Sequence, residues 1–129
     1  MKDNTRTPKA LYADDEPGQR RLVQIILQRM GWQNRLASNG LEAIRIAGQE
    51  PLDLILMDLR MPQMDGFQAV RQLRQQGISI PIVAITALEY PRLAEDCQAA
   101  GYSGWMVKPI TIRGLELVLE STLATVPPC

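Results

Sequence analysis

Histidine is absent from this 129-residue chain. With no imidazole there is no His-containing catalytic triad, no imidazole metal site, and no residue that could pass on a phosphoryl group as phosphohistidine. Any phosphoryl chemistry here is received rather than donated. Cysteine is nearly absent too: Cys97 and Cys129 lie far apart and fit no metal or redox spacing. Cys97 falls on the apolar side of a predicted helix and reads as a small buried hydrophobe, Cys129 as a tail thiol. The chain also lacks an excess of either charge. Fourteen Lys and Arg balance fourteen Asp and Glu, with no basic run, which removes the electrostatic footprint of a direct nucleic-acid binder. No apolar run approaches membrane-spanning length, and the first eight residues lack the apolar core of a signal peptide. A cytoplasmic protein with no membrane partner is expected.

What is present is apolar material for one core. At 46% hydrophobic residues, the chain is sized for one domain that needs no disulfide or metal staple. The domain is expected over residues 9–124, between a polar tail at 1–8 and a short tail at 125–129. Apolar runs of strand length alternate with segments of helical period, five times over. Residues 10–13 precede a helix at 17–30, where Leu22, Ile26 and Met30 share a face with Val23 and Leu27 and Gly31 supplies the stop. Residues 34–37 form a weaker second strand, after which Ser38 or Asn39 caps a helix carrying Leu41, Ile44 and Ile46. The third strand, 52–57, leads to a helix after Gly66 with Phe67, Val70 and Leu73 on one face. The fourth strand, 81–85, leads to a helix starting near Tyr90-Pro91, with Pro91 suited to its first turn, and carrying Leu93, Cys97 and Ala100. The fifth strand, 105–107, leads to a helix with Ile112, Leu115, Val118, Leu119 and Leu123, closed off by Pro127-Pro128. Strands this apolar are covered on both faces, so the fold class is α/β: a doubly wound parallel sheet with right-handed crossovers.

In such a sheet, ligands bind beyond the carboxyl ends of the strands. Four strand ends there carry polar groups: Asp14-Asp15, Asp58, Thr86 and Lys108. A flavodoxin-like cofactor binder would place a Gly/Ser/Thr-rich phosphate loop after its first strand. This chain has Asp14-Asp15-Glu16, three acids that would repel a phosphate unless a divalent cation stood between them, and hard oxygen ligands suit Mg²⁺ or Mn²⁺. Adjacent acids before a helix are more often a solvated cap, and only the pairing with Asp58 turns the first loop into a metal seat. A carboxylate beside a bound cation can attack phosphorus and form an acyl phosphate. Lys108 supplies a second positive charge for the phosphoryl oxygens, and the Thr86 hydroxyl can donate to one of them.

The order Asp-Asp, Asp, Thr, Lys-Pro, spaced as it is over nearly the whole chain, resembles the response-regulator receiver domain of two-component signalling. The resemblance implies a CheY-like, flavodoxin-like (βα)₅ fold with strand order 2-1-3-4-5. It implies Asp58 as phosphoacceptor, Asp15 as a direct Mg²⁺ ligand, Asp14 assisting through water, and the backbone carbonyl of Arg60 as a further ligand. Thr86 and Lys108 would contact the phosphoryl group, and Lys108-Pro109 would be cis. Trp105 stands where the family has its switch aromatic, usually Tyr or Phe; on a strand, a large core side chain is an equal reading. Arg60 and Leu88, each two residues beyond a site residue, are the positions that tune phosphoryl lifetime.

The implied phosphodonor is a sensor histidine kinase or a histidine phosphotransfer protein, docking around Pro17, Gln19, Arg20 and Gln24. The implied output is a protein target on the fourth helix, fifth strand and fifth helix, including Arg92, Asp96, Trp105, Arg113 and Glu116. Two rivals are weaker. A haloacid-dehalogenase-type phosphatase would need a second acid two residues after the nucleophile, where this chain has Arg60, a poor proton donor. A phosphorylation-independent pseudo-receiver would have no reason to keep all five site residues.

Overall fold

The structure, a computed structural model, describes residues 7–123. Residues 1–6 of the expected tail at 1–8, and the whole expected tail at 125–129 with Cys129 and the Pro127-Pro128 stop, lie outside the described residues, as does the side chain of Leu123. Five strands alternate with five helices: β1 Lys9–Ala13, α1 Pro17–Arg29, β2 Gln33–Ala37, α2 Gly40–Gln49, β3 Leu54–Asp58, α3 Gly66–Gln75, β4 Ile82–Thr86, α4 Leu93–Ala100, β5 Gly104–Val107 and α5 Ile112–Leu123. The strands form one parallel sheet in the order β2-β1-β3-β4-β5, as the family resemblance implied.

Strand alternation divides the core into two layers. Leu11, Ala13, Ile55, Met57, Ile82 and Ala84 point toward α2, α3 and α4 and pack with Ala43, Ile46, Val70, Leu73, Leu93 and Cys97. Ala10, Tyr12, Leu54, Leu56, Val83 and Ile85 point the other way, onto Val23, Leu27, Leu115 and Leu119 of α1 and α5. Because helices cover both faces, the three central strands read as unbroken apolar runs, whereas the edge strand β2 is mostly half-exposed. That edge position explains why its sequence signal is weak.

Local chemistry sets the helix starts. The Asn39 side chain accepts from the Glu42 N–H, so Asn39 and not Ser38 caps α2, a contact worth ~1 kcal/mol. Asp65 and Gln68 form a reciprocal capping box at α3. Three expectations need correction. Pro91 lies in a turn ahead of α4, whose N-cap is Arg92 without a side-chain cap bond. Leu22 is 36% exposed, so the buried stripe of α1 is Val23, Ile26 and Leu27. Leu41 is 53% exposed, because α2 faces the sheet through Ala43, Ile44, Ile46 and Ala47. Among the described residues, no helix is long and apolar enough to cross a membrane.

Candidate functional site

Parallel pairing brings the carboxyl ends of β1, β3, β4 and β5 to one edge of the sheet. Met57 lies beside Ala13, Asp58 beside Ile85, and Thr86 beside Val107, so the polar residue ending each strand, or following it, meets its neighbours there. Glycine permits the approach: a Cβ on Gly66 would lie 2.5 Å from the Asp58 carbonyl oxygen and 2.9 Å from Leu59 Cα, so only glycine lets the start of α3 sit against the Asp58 backbone.

Asp14, Asp15 and Asp58 each place a carboxylate oxygen within 4.8 Å of the others. Asp14 and Asp58 are buried while Asp15 is exposed. Lys108 Nζ donates to Asp14 Oδ2 at 3.1 Å and to Asp58 Oδ2 at 3.0 Å, and the Lys108 backbone N–H donates to the Thr86 carbonyl at 2.7 Å. Asp58 Oδ1 accepts from the Arg60 N–H at 3.1 Å. Three carboxylates thus face one ammonium. A cluster of hard, anionic oxygens with a charge deficit fits Mg²⁺ or Mn²⁺.

The buried carboxylates diverge. Burial pushes both up, but at Asp14 the hydrogen bonds from Tyr12, the Glu16 N–H and Lys108 outweigh it, and its carboxyl stays below the usual range. At Asp58 burial prevails over the bonds from the Arg60 N–H and Lys108, with the charge of Asp14 pushing the same way, and its carboxyl lies above the usual range. Lys108 is lowered by burial but raised more by Asp58 and Asp14, so it holds its proton tightly.

Thr86 is buried, and its hydroxyl closes a turn on Leu88: it accepts from the Leu88 N–H and donates to the Leu88 carbonyl, both at 3.2 Å. Asp15, Arg60, Thr86 and Leu88 line one cleft of about 720 Å³, which also takes in Met61, Phe67 and Tyr90. Trp105 is 39% exposed and lies apart from this cleft, lining grooves against Leu117 and Val118 on one side and Ala94 and Cys97 on the other. A packed core role for Trp105 is therefore not what the fold uses. The Lys108–Pro109 peptide bond is cis.

Two features departed from the sequence reading. Glu16, grouped there with the metal-seat acids, is the N-cap of α1, its carboxylate accepting from the Gln19 N–H at 2.6 Å. Tyr12 escaped notice, yet its buried hydroxyl donates to Asp14 Oδ2. The signal was available, because residues i and i+2 of a strand share a face.

Comparison with known proteins agrees with this geometry. The family model of the response regulator receiver domain matches residues 10–120. Over 114 residues the chain is 33% identical to the sensor histidine kinase RcsC of Salmonella typhimurium, an alignment covering 88% of this chain and 12% of that kinase. The chain thus spans a small part, 12–14%, of the sensor kinases it matches. The chemotaxis protein CheY4 of Vibrio cholerae superposes with a TM-score of 0.85 at 32% identity, covering 91% of this chain and 99% of that one. The receiver domain of sensor histidine kinase PA1611 from Pseudomonas aeruginosa superposes with a TM-score of 0.83 at 30% identity, covering 93% of this chain and all of that one; that structure holds a magnesium ion in its active-site cleft. Sequence, fold and site converge: the chain belongs to the response regulator receiver domain family.

Proposed function

We propose that this receiver domain, over residues 9–124, takes a phosphoryl group from phosphohistidine onto Asp58. The donor is a sensor histidine kinase or a histidine phosphotransfer protein in the cytoplasm. One observation carries the reading: Lys108 bridges Asp14 and Asp58 while three carboxylates crowd within 4.8 Å. An Asp58 oxygen forms the new P–O bond as the P–N bond to the donor imidazole breaks, and the imidazole keeps that electron pair. Lys108 stays bound at Asp58 and faces the transferred oxygens. Thr86 gives up its turn bonds to Leu88 to donate to the phosphoryl group. Asp15, Asp58 and the Arg60 carbonyl would hold Mg²⁺ or Mn²⁺ directly, with Asp14 contributing through water. When bound, such a cation neutralises phosphoryl oxygens and the crowded carboxylates.

Phosphorylation adds about −1.5 to −2 charges and three strong acceptors at this edge of the sheet. Withdrawal of Thr86 from Leu88 loosens the β4–α4 turn, which adjoins the face formed by α4, β5 and α5. We assign the downstream protein target to that face, with Trp105 as its switch aromatic and Arg60 and Leu88 tuning phosphoryl lifetime. The domain acts as a signalling switch, not as a turnover enzyme, and contacts no nucleic acid directly.

The test is intact mass after incubation with acetyl phosphate and Mg²⁺. A single labile adduct of about +80 Da, lost in Asp58→Asn and with EDTA, is the expected result. If folded protein forms no adduct and also fails to bind beryllofluoride, it is a phosphorylation-independent binding module instead.

A further inference from the structure

Asp14 and Asp15 are adjacent acids in opposite situations. Asp15 is exposed on the cleft, whereas Asp14 is fully buried and surrounded by donors. Asp14 Oδ2 accepts from the Tyr12 hydroxyl and from Lys108 Nζ at 3.1 Å, and Oδ1 accepts from the Glu16 N–H at 3.0 Å. Arg20 takes the Asp14 backbone carbonyl at 2.8 Å and leaves the carboxylate alone. A carboxylate offers about four acceptor positions. Three are filled from within the protein, and the remaining one lies on Oδ1. The three donors differ in kind: the Glu16 N–H is backbone, fixed by the turn into α1, and Lys108 also serves Asp58. The Tyr12 hydroxyl is the neutral side-chain donor of the three, and its bond goes to Asp14.

Tyr12 reaches this point through its place in the fold. Its ring is fully buried in the layer beneath α1 and α5, among Val23, Leu27, Leu56, Ile85 and Leu115. Phenylalanine would fill that volume equally well. The hydroxyl is what distinguishes tyrosine here, and it sits at the top of the ring against a carboxylate of the metal-fitting cluster.

We propose that Tyr12 is a positioning residue that sets the division of labour between the two adjacent acids, occupying Asp14 so that direct coordination of the divalent cation falls to Asp15 and Asp58. This inference rests on the phosphoacceptor and cation reading above. It has a counterintuitive sign. A residue that merely supports the site weakens cation binding when removed, whereas Tyr12 competes for a lone pair of Asp14 and its removal strengthens binding. Losing the hydroxyl frees a position on Oδ2 and leaves a buried carboxylate short of one donor, a shortage that a cation or its bound water relieves.

The test is calorimetric titration of the full chain with MgCl₂ alone, at neutral pH and without phosphodonor, for the unsubstituted protein, Tyr12→Phe, Asp14→Asn and the double variant. Tyr12→Phe should bind Mg²⁺ about 3- to 10-fold more tightly, a fraction of what a hydrogen bond to a charged group is usually worth. In the Asp14→Asn background the same change should have no effect, because the hydroxyl acts through Asp14. Unchanged or weaker binding in folded Tyr12→Phe overturns the proposal, as does equal tightening in both backgrounds. Fluorotyrosine placed at position 12 alone supplies a second arm that keeps the hydroxyl: a more acidic hydroxyl donates more strongly, so Mg²⁺ binding should weaken, and tighter or unchanged binding overturns the proposal. Absence of any Mg²⁺ binding by the unsubstituted protein overturns the metal reading and this inference with it. Normal binding that Tyr12→Phe leaves unaltered overturns this inference alone.

Discussion

Replacing Asp58 with Asn should make the metal-free domain more stable. The Asp58 side chain is 8% exposed. Its attraction to Lys108 at 3.0 Å is worth roughly 5.5 kcal/mol at an effective dielectric constant of about 20. Repulsion from Asp14, with oxygens within 4.8 Å, returns at least roughly 3.5 kcal/mol on the same scale. Asp15 is exposed, so its repulsion adds only about 1 kcal/mol. The pairwise terms therefore nearly cancel, leaving about 1 kcal/mol in favour of the charge. Against that stands the cost of burying an ion, several kcal/mol after relaxation. Burial wins, which is the same balance that raises the Asp58 carboxyl above its usual range. Asparagine removes the buried charge and keeps an oxygen for the Arg60 N–H, while Lys108 retains Asp14.

We expect a gain of about 1–2 kcal/mol, or about 3–6 °C in Tm, in urea and thermal unfolding at pH 7.5 with EDTA. The pH dependence follows from the sign of the shift. A carboxyl raised in the folded state lets the native protein hold its proton more strongly than the unfolded chain, so stability from Asp58 is full below 3.8 and is lost as pH rises through the raised folded-state value. Asp58→Asn lacks that loss, so its advantage should widen as pH rises from 3.8 through the raised folded-state value. An Asp58→Asn protein no more stable than the unsubstituted one at pH 7.5 would refute the balance.

Three further outcomes are expected. Gly66→Ala should lower stability by about 3 kcal/mol in urea unfolding, because the new Cβ meets backbone at Asp58 and Leu59 and the Tyr102 hydroxyl at 2.8 Å, where no flexible side-chain end can yield cheaply. Arg60→Asn combined with Leu88→Glu should shorten the phosphoryl lifetime read by intact mass, since Leu88 cannot orient a water and Arg60 faces the cleft; an unchanged lifetime counts against that tuning role. The Cys97 thiol is 1% exposed and burial pushes it up to about 11, so in a Cys129→Ser background it should resist maleimide at pH 8 until urea unfolds the chain. Because its folded-state value is raised above 9.0, its contribution to stability is full below that pH and falls as pH climbs toward 11. Rapid labelling of the folded protein would show that α4 opens readily.

The sequence by itself determined the fold class and the identity of the site acids. Buried parallel strands must be apolar on both faces, so Leu54–Met57 and Ile82–Ile85 announce themselves as continuous runs, and the residue that closes each run lands at one sheet edge whatever the details of packing. Helix starts were legible to within a residue where a side chain does the capping, as at Ser38-Asn39, and illegible at α4, where none does and Pro91 stays outside. The outward turn of Leu22 and Leu41 could not be read either. Periodicity marks a broad apolar stripe, and only docking on the sheet decides which part of it is covered. Tertiary structure alone decided the rest. Trp105 is exposed because β5 closes an edge of the sheet, a matter of strand order. Lys108 bridges residues 94 and 50 positions away, and Asp14 is held by Tyr12 while Asp15 faces the cleft. The Lys108 contacts depend on which strands lie side by side, a long-range pairing that no local pattern encodes, whereas the Tyr12 contact lies within β1 and only its burial against Asp14 came from the fold.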